Sequence, residues 1–307
     1  MKSTRLLRRI GKHWQMYLFL LLPLIYLLTF CYYPMLGLQL AFRKFTIDGG
    51  IWASPWIGWG NISKFLTSYQ FKRVLTNTLI LSFYSIFAGF PLPIIFALLL
   101  NSMRGERMKK AIQTITYIPH FISVIVMVGI IMQVFNARTG LYGVAVNWLT
   151  GAYPGDLLGS TRAFAHLYVW TGIWQTFGWN SIIFIAALAA VSAELHEAAE
   201  IDGASRFQRV LHIDLPSILP VATIMLILRT GSIMNIGFEK IYLMQNSLNL
   251  SVSEVISTYV YKIGLGLSGS PDYSYSTAIG LFNSVINFLL IASVNTLSGK
   301  MSKTSLW

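Results

Sequence analysis

The sequence predicts an all-α, multi-pass membrane protein with six transmembrane helices. Three observations carry this. The 307 residues are 55% hydrophobic and only 11% charged, where a soluble domain has about 25% charged residues. The mean hydropathy is +0.60, in the range of chains that cross a bilayer several times. Six apolar runs each reach the roughly 20 residues needed to span about 30 Å of hydrocarbon, and a backbone in lipid must close its hydrogen bonds within a helix.

The first run, Trp14–Tyr33, follows a basic start, MKSTRLLRRIGKH. It is long for a signal peptide and no small-residue cleavage site follows, so it reads as a retained span. The outer segment Met35–Arg73 carries Trp52, Trp56 and Trp59, which suit an interfacial aromatic belt or a partner surface. The second run, Val74–Leu100, contains Pro91 and Pro93; proline cannot donate to the helix ladder, so a kink or unwound turn is expected. Tyr117–Phe135 and Phe164–Val191 supply the third and fourth spans. A polar, charged island follows, Glu197–Pro216, EAAEIDGASRFQRVLHIDLP. It reads as two short helices. Ala198, Ala199 and Ile201 give the first its apolar positions, and Asp202-Gly203 makes the turn, glycine being free to take backbone angles other residues avoid. Phe207, Val210 and Leu211 recur at helical spacing in the second, and Pro216 marks the start of the next segment. Ser217–Ile236 and Ala278–Leu297 are the last two spans, with a long outer segment, Gly237–Thr277, between them. The chain reads as a single domain without internal repeats. An N-terminal span and outer loop cover residues 1–73, and a core over 74–297 contains the island in a loop at 194–216.

Basic residues set the direction, because they are retained on the cytoplasmic side. With the N-terminus inside, Lys2, Arg5, Arg8, Arg9, Lys12, Arg104, Arg107, Lys109, Lys110, Arg206, Arg209, Lys300 and Lys303 face the cytoplasm, 13 in all. The outer segments hold 9, namely Arg43, Lys44, Lys64, Lys72, Arg73, Arg138, Arg162, Lys240 and Lys262. The bias is clearest in the short loops, where the rule works best. It places the Glu197–Pro216 island and both termini in the cytoplasm.

Several function classes are excluded. The net charge of +12 sits at the ends of apolar runs rather than in a nucleic-acid footprint. Cys31 is the single cysteine, so there is no disulfide framework. His13, His120, His166, His196 and His212 show no metal-ligand spacing and read as solvated or packing residues. A phosphate-cradling P-loop needs G-x-x-x-x-G-K followed by Ser or Thr, and the one Gly-Lys pair, Gly299-Lys300, precedes Met301. An ion-driven transporter needs intramembrane carboxylates, and no Asp or Glu falls in the six assigned spans. A membrane enzyme needs a polar catalytic constellation, and none is legible.

The island resembles the EAA loop of ABC importer permeases, through Glu197, Ala198, Ala199, Asp202, Gly203, Ala204, Phe207, Leu215 and Pro216. Over nearly the whole chain the sequence is similar to the carbohydrate-type permeases, the group that includes the maltose permeases. Within them it most resembles the polysaccharide or lipoprotein-transport subgroup. The stretches that carry this are GWGNISKFL (58–66), WQTFGWNSIIFIAAL (174–188), GFEKIYLMQN (237–246), TYVYKIGL (258–265), TAIGLFNSVINF (277–288) and the terminal Ser305-Leu306-Trp307. The resemblance implies the type I importer permease fold in the plasma membrane of a prokaryote. It implies a cytoplasmic loop that inserts into a cleft of a separate ATPase, the glutamate at the Glu197 position contacting that cleft and the glycine at Gly203 allowing the tight turn. The partners it implies are a second, homologous permease in a heterodimer, two ATPase copies, an extracellular or periplasmic sugar-binding protein and membrane lipid. ATP and Mg would be bound by the ATPase and no cofactor by this chain. The substrate it implies is an oligosaccharide.

A sugar path needs hydrogen-bonding groups and flat aromatic faces. Trp170, Trp174, Gln175, Trp179 and Asn180 in the fourth span, Asn235 in the fifth, and Asn283 and Asn287 in the sixth are the candidates. Trp170 with Trp174, and Asn283 with Asn287, are spaced i, i+4 and share a helix face; helix bridging and interfacial packing are the alternatives. Arg229 is the one charged residue within an assigned span core. An intramembrane arginine is costly, so it is expected to pair with a carboxylate of the partner permease, face an anionic sugar or line a polar cavity.

Overall fold

A computed structural model describes residues 12–267 and 269–302. Lys2, Arg5, Arg8, Arg9, Lys303 and the terminal Ser305-Leu306-Trp307, which entered the orientation and the resemblance, lie outside the described residues. Among the described residues there is no β-strand, only an isolated antiparallel bridge between Arg43 and Trp56. Helices make most of the rest, as a chain crossing hydrocarbon requires.

Five helical runs are long and apolar enough to cross a membrane: Trp14–Phe42, Tyr69–Asn101, Thr161–Ala189, Arg206–Thr230 and Tyr273–Lys300. The sixth expected span is different. Glu106–Phe121 and Val124–Val134 meet at a break bent by 99°, so Tyr117–Phe135 is not one straight helix. The cause is local. Pro119 opens a tight turn over Ile118–Phe121, and Ser123 restarts the helix by accepting a hydrogen bond from the Val126 amide, as an N-cap does. Hydropathy sees one apolar run where capping chemistry makes two elements.

In chain order the helices are α1 (Trp14–Tyr26), α2 (Tyr69–Gly89), α3 (Pro91–Asn101), α4 (Glu106–Tyr117), α5 (Val124–Val134), α6 (Leu141–Thr150), α7 (Thr161–Ala189), α8 (Ala193–Ile201), α9 (Arg206–Arg209), α10 (Leu215–Thr230), α11 (Phe238–Met244), α12 (Ile256–Gly264) and α13 (Tyr273–Ser302). The proline break expected in the second span is present, with Phe90 separating α2 from α3 and Pro91 opening α3. The fifth span stops short of expectation. α10 ends at Thr230, and a tight turn over Ile233–Asn235 follows. At its base α10 continues without a gap from α9 through a wide turn over Val210–Asp214. The second short helix of the island is therefore the foot of the fifth span, which carries Asp214 within the same continuous helical run.

The described residues form two compact units. One comprises those of Met1–Leu66 with Ile263–Leu281. Here Trp56 stacks on Phe42 and Trp59 meets it edge-on, while the Asn61 amide donates to the carbonyls of Ala41 and Arg43. Lys64 pairs with Asp272 at 3.2 Å. No residue of α1 is buried, so its apolar surface is fully available to lipid or to another chain.

The second unit, Thr67–Lys262 with Phe282–Trp307, holds the core. Leu81, Met127, Val128, Ile131, Phe164 and Ile241 pack together at under 5% exposure. A second cluster joins Ala97, Phe184, Leu188, Ile218 and Ala222 and knits α3, α7 and α10. Gly178 lets α7 approach α4, since a Cβ there would meet the Thr116 carbonyl. Glu254, 5% exposed, receives Arg73 on one oxygen and Lys262 on the other. The Asn77 amide clamps the same strip by donating to the carbonyls of Ser251 and Glu254. Glu254→Ala strands two cations beside a buried strip. The expected loss is on the order of 3 kcal/mol, read as a lowered unfolding midpoint in detergent, with Glu254→Gln losing less because its amide oxygen still accepts.

Candidate functional site

The structure builds two polar sites on the second unit, one on the Glu197–Pro216 island and one among the membrane helices. On the island, Ser192 caps α8 by accepting from the Glu194 amide. α8 ends as expected at Asp202-Gly203. Gly203 has φ +80°, a left-handed angle that costs other residues roughly 1–2 kcal/mol. That angle lets the Gly203 amide donate to Glu200 at 3.1 Å and the Ala204 amide donate to the Ala199 carbonyl at 2.8 Å, consuming the free carbonyls of the helix end. Ser205 and Gln208 then cap α9 reciprocally, satisfying two amides at once. Glu200 is held by Arg209 at 3.1 Å, which fastens α9 back onto α8.

What this turn presents is apolar. Ile201 is 87% and Phe207 75% exposed, with Glu197 and Asp202 also exposed beside them. Ala198 is exposed, and Ala199, Ala204 and Leu215 are half-buried on the inner side. Pro216, exposed, sits in the first turn of α10.

Asp214 anchors the island from beneath. It is 2% exposed. His196 Nε2 lies 3.2 Å from its Oδ1, and the Asn101 amide donates to the same oxygen at 3.3 Å. The carboxylate therefore ties α8, the end of α3 and the foot of α10 together. A polar cavity of about 470 Å3 opens beside it, reached by Arg104, Arg206 and Arg209. Sequence reasoning passed over Asp214 and read His196 as a solvated or packing residue. The signal was a carboxylate immediately before the Leu215-Pro216 step, with nothing in the pattern to say that it was buried.

Among the membrane helices, the predicted polar residues divide by what they touch. Trp170 Nε1 donates to the Tyr84 hydroxyl at 2.9 Å, and that hydroxyl is 2.8 Å from His166 Nδ1. Trp170 and Trp174 share a face, as their spacing required, and line an apolar cavity of about 360 Å3 with Phe96 and Phe177. The Gln175 amide donates to the Ile122 carbonyl at 2.8 Å, serving the break between α4 and α5. Trp179 stacks on His120 with ring centres 4.4 Å apart.

Asn283 and Asn287 are both buried. Asn287 accepts from the Met234 amide at 3.0 Å, holding the turn that follows α10. The Asn283 amide donates to Asn235 Oδ1 at 2.6 Å. Their remaining atoms, Asn283 Oδ1 and Asn287 Nδ2, have no partner among the described residues.

Arg229 stands between two cavities. One, about 560 Å3, is shared with Asn180 and Trp179; the other, about 310 Å3, with Ser82, Ser85, Ser232 and Asn235. Its Nη1 is 3.6 Å from where a Cβ on Gly89 would stand, so the guanidinium faces the end of α2. Among the described residues no carboxylate lies within ion-pair distance of it.

A second cation, in the outer segment between the last two spans, is buried within the protein. Lys240, 9% exposed, donates to the Tyr168 carbonyl and to Thr171 Oγ1, each at 2.9 Å. Its ammonium lies 5.1 Å from the Tyr168 ring centre. Contacts some seventy residues apart in sequence left no local signal.

The chain as a whole is similar to known proteins. The family described as binding-protein-dependent transport system inner membrane component matches residues 89–303. Protein LplB of Bacillus subtilis is 42% identical over 292 residues, 95% of this chain and 91% of the relative. The polygalacturonan/rhamnogalacturonan transport system permease protein YteP of the same organism is 37% identical over 306 residues, 100% of this chain and 94% of the relative. A chain in the crystal structure of the bacterial alginate ABC transporter, in complex with an alginate pentasaccharide-bound periplasmic protein, superposes with a TM-score of 0.89. It is 34% identical and covers 98% of this chain and 100% of its own.

Burial pushes the Lys240 ammonium down to about 8 from an ordinary 10.5. The folded protein thus releases this proton before the unfolded chain does. Stability is level below pH 8 and rises as pH climbs from about 8 to 10.5. Lys240→Met should remove that rise, seen by comparing unfolding midpoints of the two proteins at pH 7 and pH 10.

Proposed function

The chain belongs to the binding-protein-dependent transport system inner membrane components, and on that premise we propose that it is the translocating subunit of an ATP-driven oligosaccharide importer. A separate ATPase drives it through the island, and a solute-binding protein outside the membrane delivers the sugar. The observation that carries this reading is the capped, rigid turn at Gly203, which thrusts Ile201 and Phe207 into solvent at the foot of a membrane helix. Exposed aromatic and branched side chains beside free carboxylates have the character of an interface core with a polar rim. Glu197, with Asp202 beside it, is left to meet a basic group of the ATPase, since Glu200 is already taken by Arg209.

The orientation follows from the same reading. The island and both termini face the cytoplasm, in keeping with Arg206 and Arg209 within the island, Arg104 beside it on the same cavity, and Arg107, Lys109 and Lys110 in the short stretch that follows the second span. The unburied face of α1 lies against a second, homologous permease, giving a heterodimer served by two ATPase copies that bind ATP and Mg. Transport proceeds by alternating access: closure of the ATPase dimer moves the island, the cavities open outward to receive sugar, and hydrolysis resets them. The relatives named for polygalacturonan, rhamnogalacturonan and alginate support a plant or algal type of oligosaccharide as substrate.

Co-purification with an ATPase subunit, followed by ATPase assays in lipid with and without the sugar-loaded binding protein, tests this. Stimulation by one loaded binding protein is expected. A chain that recruits no ATPase and moves solute without ATP would overturn the assignment. Gly203→Asp gives the sharper prediction. The left-handed angle at Gly203 costs an aspartate roughly 1–2 kcal/mol, but its Cβ would meet nothing within 4 Å inside this chain, so the variant should still fold and assemble with a slightly lowered unfolding midpoint, while its added bulk and charge abolish transport-coupled ATPase activity at the docking surface.

A further inference from the structure

We propose that Arg229 is the specificity-determining residue of the transport path and binds the carboxylate of an acidic, uronic-acid oligosaccharide. The assignment rests on the importer reading and deepens it.

Four observations meet at this residue. Its guanidinium makes no ion pair and no hydrogen bond among the described residues. It lies 14 residues beyond the start of α10 at Leu215, about 21 Å along the helix axis, well away from the island. It opens on two cavities at once, one largely apolar with Trp179 and Asn180, the other polar with Ser82, Ser85, Ser232 and Asn235. Gly89 faces it from the end of α2, with 3.6 Å between Nη1 and the place a Cβ would take.

A cation without a counter-charge among membrane helices is expensive to keep, and nothing within this unit repays the cost. A ligand that brings a carboxylate does. The planar guanidinium fork matches a carboxylate in two parallel hydrogen bonds. One guanidinium neutralises one carboxylate, whereas a sugar phosphate dianion would leave a charge uncompensated where water is scarce. The neighbours fit the remainder of a sugar. Asn235 accepts from Asn283 through its oxygen, which leaves its amide nitrogen to donate to a hydroxyl. Trp179, stacked on His120, presents a fixed aromatic face at the margin of the larger cavity. A neutral sugar would satisfy the amides and leave the guanidinium bare, so discrimination comes from the unpaired charge.

The test uses the assembled complex, with ATPase and binding protein, in proteoliposomes. The probes are a galacturonate oligosaccharide and its carboxyl-reduced neutral counterpart, supplied at concentrations that saturate the binding protein. Arg229→Gln should raise the apparent KM for the acidic sugar at least about tenfold and bring the two sugars to near-equal uptake, in a complex that still assembles. Arg229→Lys should keep most of the preference, since the charge remains. Unchanged selectivity in Arg229→Gln overturns the assignment. So does equal loss of both sugars, or failure of the two permeases to assemble, which would make Arg229 a structural partner for a carboxylate of the second permease. A wild-type complex that imports neither sugar defeats the importer reading as well, an outcome distinct from wild-type import that is indifferent to Arg229.

Discussion

Every break in a helix that crosses hydrocarbon must find partners for the backbone groups it frees, and that constraint shapes this molecule more than any single contact. Each interruption is serviced. Ser123 caps the restart of α5 and Gln175 reaches across to the Ile122 carbonyl. Asn287 accepts from the Met234 amide where α10 has ended. Asn77 and Thr78 of α2 meet the strip around Glu254 and the Ile256 amide. In water these groups would be solvated at little cost, but in lipid an unmet one costs several kcal/mol. The side chains that repair the breaks are therefore polar, buried and drawn from distant parts of the chain. They resemble a binding site in composition while being scaffold in role, which is why an asparagine in a membrane helix is weak evidence of a substrate path.

Charge obeys the same rule with higher stakes. Asp214 is buried because His196 and Asn101 reach it, Glu254 because Arg73 and Lys262 do, and Lys240 because a carbonyl and a hydroxyl accept its protons. Placed beside these, Arg229 stands out as the one intramembrane charge whose accounts do not close within the described residues. The contrast between satisfied and unsatisfied groups separates scaffold from site here better than residue type does.

Much of the fold was legible in the sequence because it rests on local chemistry. Hydropathy located the spans. The Asp202-Gly203 turn followed from the angle only glycine takes freely, and Pro91 placed the break at Phe90. The misreadings share a cause. The third span looked continuous because Pro119 and Ser123 are too few to lower the hydropathy of an apolar run, yet each changes a hydrogen bond. The foot of the fifth span looked like a separate helix because Pro216 reads as a boundary, although proline in the first turn of a helix costs nothing. For the site, the i, i+4 spacings put the right faces together. Which asparagine was spent on the backbone, and which cation was buried, depended on residues tens of positions away, and no window along the chain contains that information.

The continuous helical run from Arg206 to Thr230 puts both polar sites on one rod. From Arg206 to Arg229 it measures about 35 Å at 1.5 Å per residue. Tilting such a rod by about five degrees at the island displaces its far end by about 3 Å, the width of one hydrogen bond. A motion too small to rupture the capped turn at Gly203 is thus large enough to make or break a guanidinium–carboxylate contact at the other end. The wide turn over Val210–Asp214 lies within this run, and Asp214 is held there by His196 and Asn101. Under the proposed assignment, gear ratio rather than affinity would be the quantity that links nucleotide chemistry outside the membrane to the grip on a sugar within it.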